Sequence, residues 1–458
     1  MILLLISLIG ITGLAFLAIV ALKPSFFWPL SIMASVGASG IVIEKIGLPD
    51  EYLLGCILLG VFLAMSIKKF NLRKERKNTW DQLHEWFFLI MIIYMIVQSF
   101  YGMMELESLR KLRWVVYFGM LGVFAFILSR SPSPLSKRKL LLIISGSALV
   151  YFGAYILVGL YYEMISGEGL WFFQKGKWAI QNLFWGGSTY AAFPLLVGLP
   201  AIFFLIKDKS HIYRRVGWIT LMVILFSAFY YNSRVSQLSI IGFFIVALLI
   251  LGFRKFLLYS FVFLFILTIF VSILWPAGRM YTFEGFGELL FNTSKIIWKP
   301  SEADLGDVGR SFRIQAALRA MKDSNLGLLL FGYGFRTSGF VTHPYFIDLW
   351  IEHGWPEIAK TLSTYYADDG FPAFLVGTGL IGLFLLLINF LFTARKIIFT
   401  KGASGRGVLV FSLFLSFLWL FITDPTDIAL FYLMIMPSGL LIKLSEPERE
   451  KNYDHSLL

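Results

Sequence analysis

The chain has 458 residues, of which 58% are hydrophobic, 17% aromatic and only 15% charged, with a formal net charge of +12. A soluble domain carries about 25% charged and 45–50% apolar residues, so a soluble enzyme and a disordered chain are excluded. The single cysteine, Cys56, lies in an apolar run and excludes a disulfide-stapled secreted scaffold.

The class left is an all-α polytopic membrane protein. Its apolar runs are continuous, whereas the strands of an outer-membrane barrel alternate apolar and polar residues. A spanning helix needs about 20 mostly apolar residues to cross the hydrocarbon core. In chain order such runs fall at roughly 2–22, 26–43, 52–67, 86–104, 113–129, 140–160, 189–206, 216–232, 237–253, 256–275, 371–394, 407–423 and 428–443. Several are short, so the expected number is 12–13. The first opens Met1-Ile2-Leu3-Leu4, without a basic n-region or a small-residue cleavage site, and is expected to be a retained span.

Orientation follows from where Lys and Arg collect. Every second loop is basic: Lys68, Lys69, Arg73, Lys74, Arg76 and Lys77, then Arg130, Lys137, Arg138 and Lys139, then Lys207, Lys209, Arg214 and Arg215. Arg254 and Lys255 follow, then Arg395, Lys396, Lys401 and Arg406. Thirteen spans place all of these on the cytoplasmic side, with the N-terminus outside and the C-terminus inside. The positive balance is this inward bias together with contact to anionic membrane lipids, and no nucleic-acid partner is implied.

Two outer segments are too long to be simple connections. Segment 161–188 is aromatic, with Tyr161, Tyr162, Trp171, Phe172, Phe173, Trp178 and Trp185. Segment 276–370 carries helical patterns, Gly turns and most of the unusual polar residues. The expected organisation is therefore 1–275 with the first ten spans, 276–370 as a large, partly helical periplasmic loop, and 371–458 with the last three spans and a cytoplasmic tail. No internal repeat is evident, which weighs against an inverted-repeat transporter.

Candidate functional residues concentrate on the outer side. Arg234, in Asn232-Ser233-Arg234, reads either as an interfacial snorkelling arginine or as a fork for phosphate oxygens. Gly309-Arg310 opens a helical pattern with its start near Asp307 or Gly309. At about 100° per residue, Arg310 and Arg313 share an arc with Ile314, Ala317, Ala320 and Met321, opposite Gln315, Arg319 and Lys322. These two arginines either pair with Glu302, Asp304 and Asp307 or neutralise an anionic substrate. Phe331-Gly332-Tyr333-Gly334-Phe335-Arg336 marks a tight turn and lacks the Lys-Ser/Thr of a phosphate-cradling loop. His343 and His353 are expected in loops, as general bases or as ordinary surface histidines; their spacing does not suit zinc. Asp368-Asp369, just before a span, reads as a costly functional pair or as a solvated helix cap.

Together these elements resemble the O-antigen ligase and O-antigen polymerase superfamily. The similar stretches are Trp185-Gly186-Gly187-Ser188-Thr189-Tyr190-Ala191-Ala192-Phe193-Pro194-Leu195, Asn232-Ser233-Arg234, Gly309-Arg310 followed by Phe331-Gly332-Tyr333-Gly334, and Phe374-Leu375-Val376-Gly377-Thr378-Gly379-Leu380-Ile381-Gly382-Leu383. They cover roughly residues 180–395. Ligases of the family place His-Asn about eleven residues before the last Gly-Leu-Ile-Gly; here Asp368-Asp369-Gly370-Phe371 stands there, which is closer to the polymerases.

The resemblance implies a GT-C-like membrane glycosyltransferase that joins undecaprenyl-diphosphate-linked oligosaccharide units at the periplasmic face of a bacterial inner membrane. A chain-length regulator protein is an implied partner. On this expectation Arg234, Arg310, Arg313 and Arg336 bind the diphosphate, and Asp369, Asp368 or His343 takes the acceptor proton. No metal-ligand cluster is legible, so neither metal nor other cofactor is expected. A ligase differs only in its acceptor. A flippase would need ionisable residues midway through several spans, and these spans carry few.

Overall fold

Stretches rich in Leu, Ile, Phe and Met propagate helix readily, because such side chains satisfy no backbone polar group and leave the i→i−4 ladder as the backbone's own solution. The computed structural model describes residues 2–27, 30, 51–67, 79–105, 123, 127, 136–166, 192–230, 240, 242–243, 305–334, 337–361, 370–399 and 407–414. These residues are mostly helical, and no strand occurs among them.

The helices up to the large outer segment are α1 (Ile2–Leu22), α2 (Glu51–Ser66), α3 (Thr79–Glu105), α4 (Lys137–Ser166), α5 (Ala192–Ile206) and α6 (His211–Tyr230). Beyond it come α7 (Leu305–Lys322), α8 (Leu326–Phe331), α9 (Ser338–Glu352), α10 (Pro356–Thr361) and α11 (Gly370–Phe399). Residues 407–414 are helical as well. The expected spans 26–43, 113–129, 237–253, 256–275 and 428–443 lie wholly or mostly outside the described residues.

Where helix and apolar run can be compared, the helix is often longer. Helix α3 starts at Thr79 and not at 86, and α4 continues to Ser166, into the segment expected to begin an outer loop at 161. The reason is that backbone hydrogen bonds close equally well beneath polar side chains. An apolar run marks the part of a helix that avoids water and says nothing of where the helix stops. Two helical stretches among the described residues, Leu83–Gly102 and Phe374–Phe399, are long and apolar enough to cross a membrane.

Packing joins α1 to α2, joins α4, α5 and α6 to one another, and sets α11 against α3, α7, α8 and α9. In the α4–α5–α6 group Ile144, Ala148, Leu199, Ile202, Leu205, Ile224 and Leu225 are buried, and Ser145 Oγ donates to Thr220 Oγ1 at 2.9 Å. Large apolar side chains also face outward. Leu14, Trp86, Val97, Phe384 and Leu391 are each more than half exposed.

Candidate active site

The site begins with a break in α11. Gly379 has φ 62° and ψ −169°, a conformation closed to side-chain-bearing residues, and it interrupts the helix between Gly370 and Phe399. An interrupted helix strands the carbonyls just before the break. All three are capped from outside. The Val376 carbonyl accepts from Tyr333 N at 2.8 Å, the Gly377 carbonyl from Gly334 N at 3.1 Å, and the Thr378 carbonyl from the Tyr94 hydroxyl of α3 at 2.6 Å.

Two of the caps come from the turn Gly332-Tyr333-Gly334, which follows the short helix α8. Asn325 starts α8 by accepting from Leu328 N at 2.9 Å, and Gly332, at φ 80°, ends it. A Cβ on Gly332 would lie 2.6 Å from the Gly377 carbonyl oxygen and 2.6 Å from Gly379 N. The Phe331 carbonyl is held by Gln98 Nε2 at 2.7 Å, and Tyr94 Oη reaches it at 3.0 Å. The two glycine motifs, some 45 residues apart in sequence, are thus one backbone-to-backbone joint. Its amides at 333 and 334 are spent on α11 carbonyls, so they serve no anion. Tyr94 and Gln98 were not singled out from the sequence. Their signal was two polar residues four apart in an apolar run, hence on one helix face.

Helix α7 is a wedge beside this joint. Phe312 and Ala316 pack on Phe346, Leu349 and Trp350 of α9, whereas Ala317 and Met321 pack on Leu375 and Val376 of α11. Arg313 is partly buried, and its helical register falls between these two contact stripes, beside buried Ala320. Position 310 shares the helical register of Ala317 and Met321. Ile314, expected on the packing face, is instead 40% exposed, because the stripe is set by Phe312 and the alanines. The helix starts at Leu305, earlier than Asp307 or Gly309.

Helix α9 corrects the expectation of a loop at Thr342-His343-Pro344. His343 lies within the helix, and Pro344 is accommodated there. X-Pro favours extended backbone, and a mid-helix Pro costs about 3 kcal/mol. Burial of Phe346, Leu349 and Trp350 offsets that cost. His353 caps the same helix: its Nδ1 donates to the Leu349 carbonyl at 2.9 Å, and its ring lies 4.6 Å from that of Phe312. Around Phe312 the rings of Trp350 and Trp355 complete an aromatic core for this unit.

Of the residues proposed for chemistry, Arg310, Arg313 and His343 lie on α7 and α9, two helices that pack together. Arg234, Arg336, Asp368 and Asp369 lie outside the described residues, although Asp369 directly precedes Gly370, the first residue of α11. Arg319, on the outward side of α7, clamps α9 through a two-pronged pair with Glu352, both bonds 2.8 Å. Tyr345 of α9 bonds Asp323, and burial first, then that carboxylate, pushes its phenol upward.

The clamp gives a pH prediction. The hydrogen bonds from Arg319 hold the Glu352 carboxyl below its ordinary 4.5. A depressed folded-state value means the clamp contributes fully above the unfolded value and is lost as pH falls through the folded one. Hydrogen exchange at the C-terminal turns of α7 and α9, taken relative to the intrinsic amide rate at each pH, should therefore be unchanged from neutral pH down to about 5 and accelerate in more acid solution. In Glu352→Gln that acceleration should be absent. An identical acid response in both proteins would remove the clamp from the explanation.

No family model matches the chain, and no curated protein matches it.

Proposed function

We propose that the chain is a polytopic membrane glycosyltransferase that polymerises undecaprenyl-diphosphate-linked oligosaccharide units at the periplasmic face of a bacterial inner membrane. The observation that carries the reading is the placement of α7. The helix that carries Arg310 and Arg313 in sequence is wedged, through Ala317 and Met321, against the N-terminal part of α11, a helix long and apolar enough to cross a bilayer. That is where the headgroup of a lipid diphosphate would sit, with its isoprenoid in the hydrocarbon and its charge at the surface. The outward-facing Leu14, Trp86, Val97, Phe384 and Leu391 support the membrane setting, since such residues are stable against acyl chains.

In this reading the donor is a growing glycan on the lipid diphosphate, and the acceptor is a second lipid-linked unit. The acceptor hydroxyl attacks the anomeric carbon, and the bond from that carbon to the diphosphate oxygen breaks. Negative charge grows on the leaving diphosphate, and Arg234, Arg310, Arg313 and Arg336 supply the compensating charge. Asp369 takes the proton of the hydroxyl, with Asp368 and His343 as the other candidates. A carboxylate does this best when partial burial lifts its pKa toward neutrality.

The test is deletion of the gene in its host, followed by electrophoresis of the surface glycolipids. The expected result is a single repeat unit on the core and loss of the ladder. Bare core with long lipid-linked glycan would mean a ligase, and single units trapped on the cytoplasmic leaflet would mean a flippase.

A further inference from the structure

The α4–α5–α6 group ends in an unusual concentration of cations. Lys137, Arg138 and Lys139 open α4, Lys207 and Lys209 follow α5, and Arg214 and Arg215 stand in the first turn and a half of α6. The three helices pack on one another, and Arg138 of α4 reaches Asp208 after α5 at 2.9 Å, so these residues share one end of the group. The only acid in segments 130–144 and 200–218 is Asp208. It is already occupied, by Arg138 and by Ser210 N at 2.8 Å.

Aromatic rings set the cations at a level. Lys207 Nζ lies 4.5 Å above the Phe203 ring, Lys137 Nζ 4.8 Å above Phe204, and the Arg138 guanidinium 5.6 Å from Tyr213. These rings are anchored at the ends of apolar helices, so the cations form a rim at the edge of an apolar bundle. Lys139, Lys209 and Arg215 are exposed on that rim and make no ion pair among the described residues. A patch with spare positive charge directly beside buried Phe203, Phe204 and Leu205 matches an amphiphile with an anionic head. A free anion would gain nothing from the apolar flank.

We propose that this end of the α4–α5–α6 group is a binding site for the headgroup of an anionic phospholipid. The site is separate from the α7–α11 junction. It depends on the membrane setting but not on the transferase reading, and its test measures lipid binding and not glycan transfer.

The full chain in neutral detergent is titrated with phosphatidylglycerol or phosphatidylcholine, and bound lipid is counted by native mass spectrometry. The expected result is preferential retention of phosphatidylglycerol. The triple variant Lys139→Gln, Lys209→Gln, Arg215→Gln should lose about 100-fold in that affinity, roughly five-fold per cation, and keep its response to phosphatidylcholine. Equal retention of the two lipids by the natural chain would overturn the proposal. So would unchanged phosphatidylglycerol affinity in the triple variant. Displacement of the lipid by inorganic phosphate at matched ionic strength would do the same, by reassigning the patch to free anions. If the triple variant does not purify as a folded species, the three single variants replace it, and no loss in any of them rejects the site.

Discussion

Gly379→Ala is expected to dismantle the joint between α11 and the Gly332-Tyr333-Gly334 turn. A side chain at φ 62°, ψ −169° costs about 1–3 kcal/mol from backbone strain alone. The added Cβ would also press on the Leu330 carbonyl and sit 2.5 Å from Gly332 N. They are backbone atoms of α8 and of the turn that follows it, and that turn is bonded to Val376 and Gly377, so neither can yield without straining those bonds. The total loss should exceed about 3 kcal/mol. It should be seen as a markedly lower melting temperature in detergent, or as failure to accumulate in membranes. Gly153→Ala is the control, because no atom of the described residues lies within 4 Å of a Cβ there. Equal stability of the two variants would show that the joint is not structural. Tyr94→Phe should be milder, about 1–3 kcal/mol, because it uncaps the Thr378 carbonyl while the Phe331 carbonyl keeps its bond from Gln98.

The second large effect concerns catalysis. Arg310→Ala and Arg234→Ala should each lower glycan polymerisation by about 100- to 1,000-fold, the usual loss when one group opposing transition-state charge is removed. The amount of protein in the membrane should be unchanged. Arg313→Lys is the more discriminating substitution. It keeps a cation between the two contact stripes of α7 but removes the planar fork that grips two phosphate oxygens. A loss in Arg313→Ala that Arg313→Lys fully restores would mean that charge alone is needed; partial restoration would point to the fork. Full activity in both Arg234→Ala and Arg310→Ala would sink the diphosphate clamp.

Several features of this protein were legible in its sequence. Helical character follows from long apolar runs, since a continuous run of about 20 such residues is too long and too uniform for a strand and closes its backbone hydrogen bonds within itself, and the described residues are mostly helical. The periodicity of 310–322 placed Arg313 with Ala317, Ala320 and Met321 and put Arg319 outside. The structure places Arg319 against Glu352 across an exposed surface, with Ala317, Ala320 and Met321 buried. Both readings depend on side chains within one or two turns of helix, where spacing alone decides which residues share a face.

Other features needed the tertiary structure. The glycines at 332 and 379 read separately as a turn and as part of an apolar run, and no local rule joins them. Their meaning is a distance between two backbones, which exists only once α8 has been brought onto α11. Tyr94 and Gln98 are the same kind of case, because their partners are carbonyls more than 230 residues away. His343 reads as a loop residue for the converse reason, yet lies within α9. The local preference of His-Pro for extended backbone is real, but it is smaller than what α9 gains by burying Phe346, Leu349 and Trp350 against α7. Spacing along a chain reports what a segment prefers by itself, and long-range burial decides whether that preference is kept.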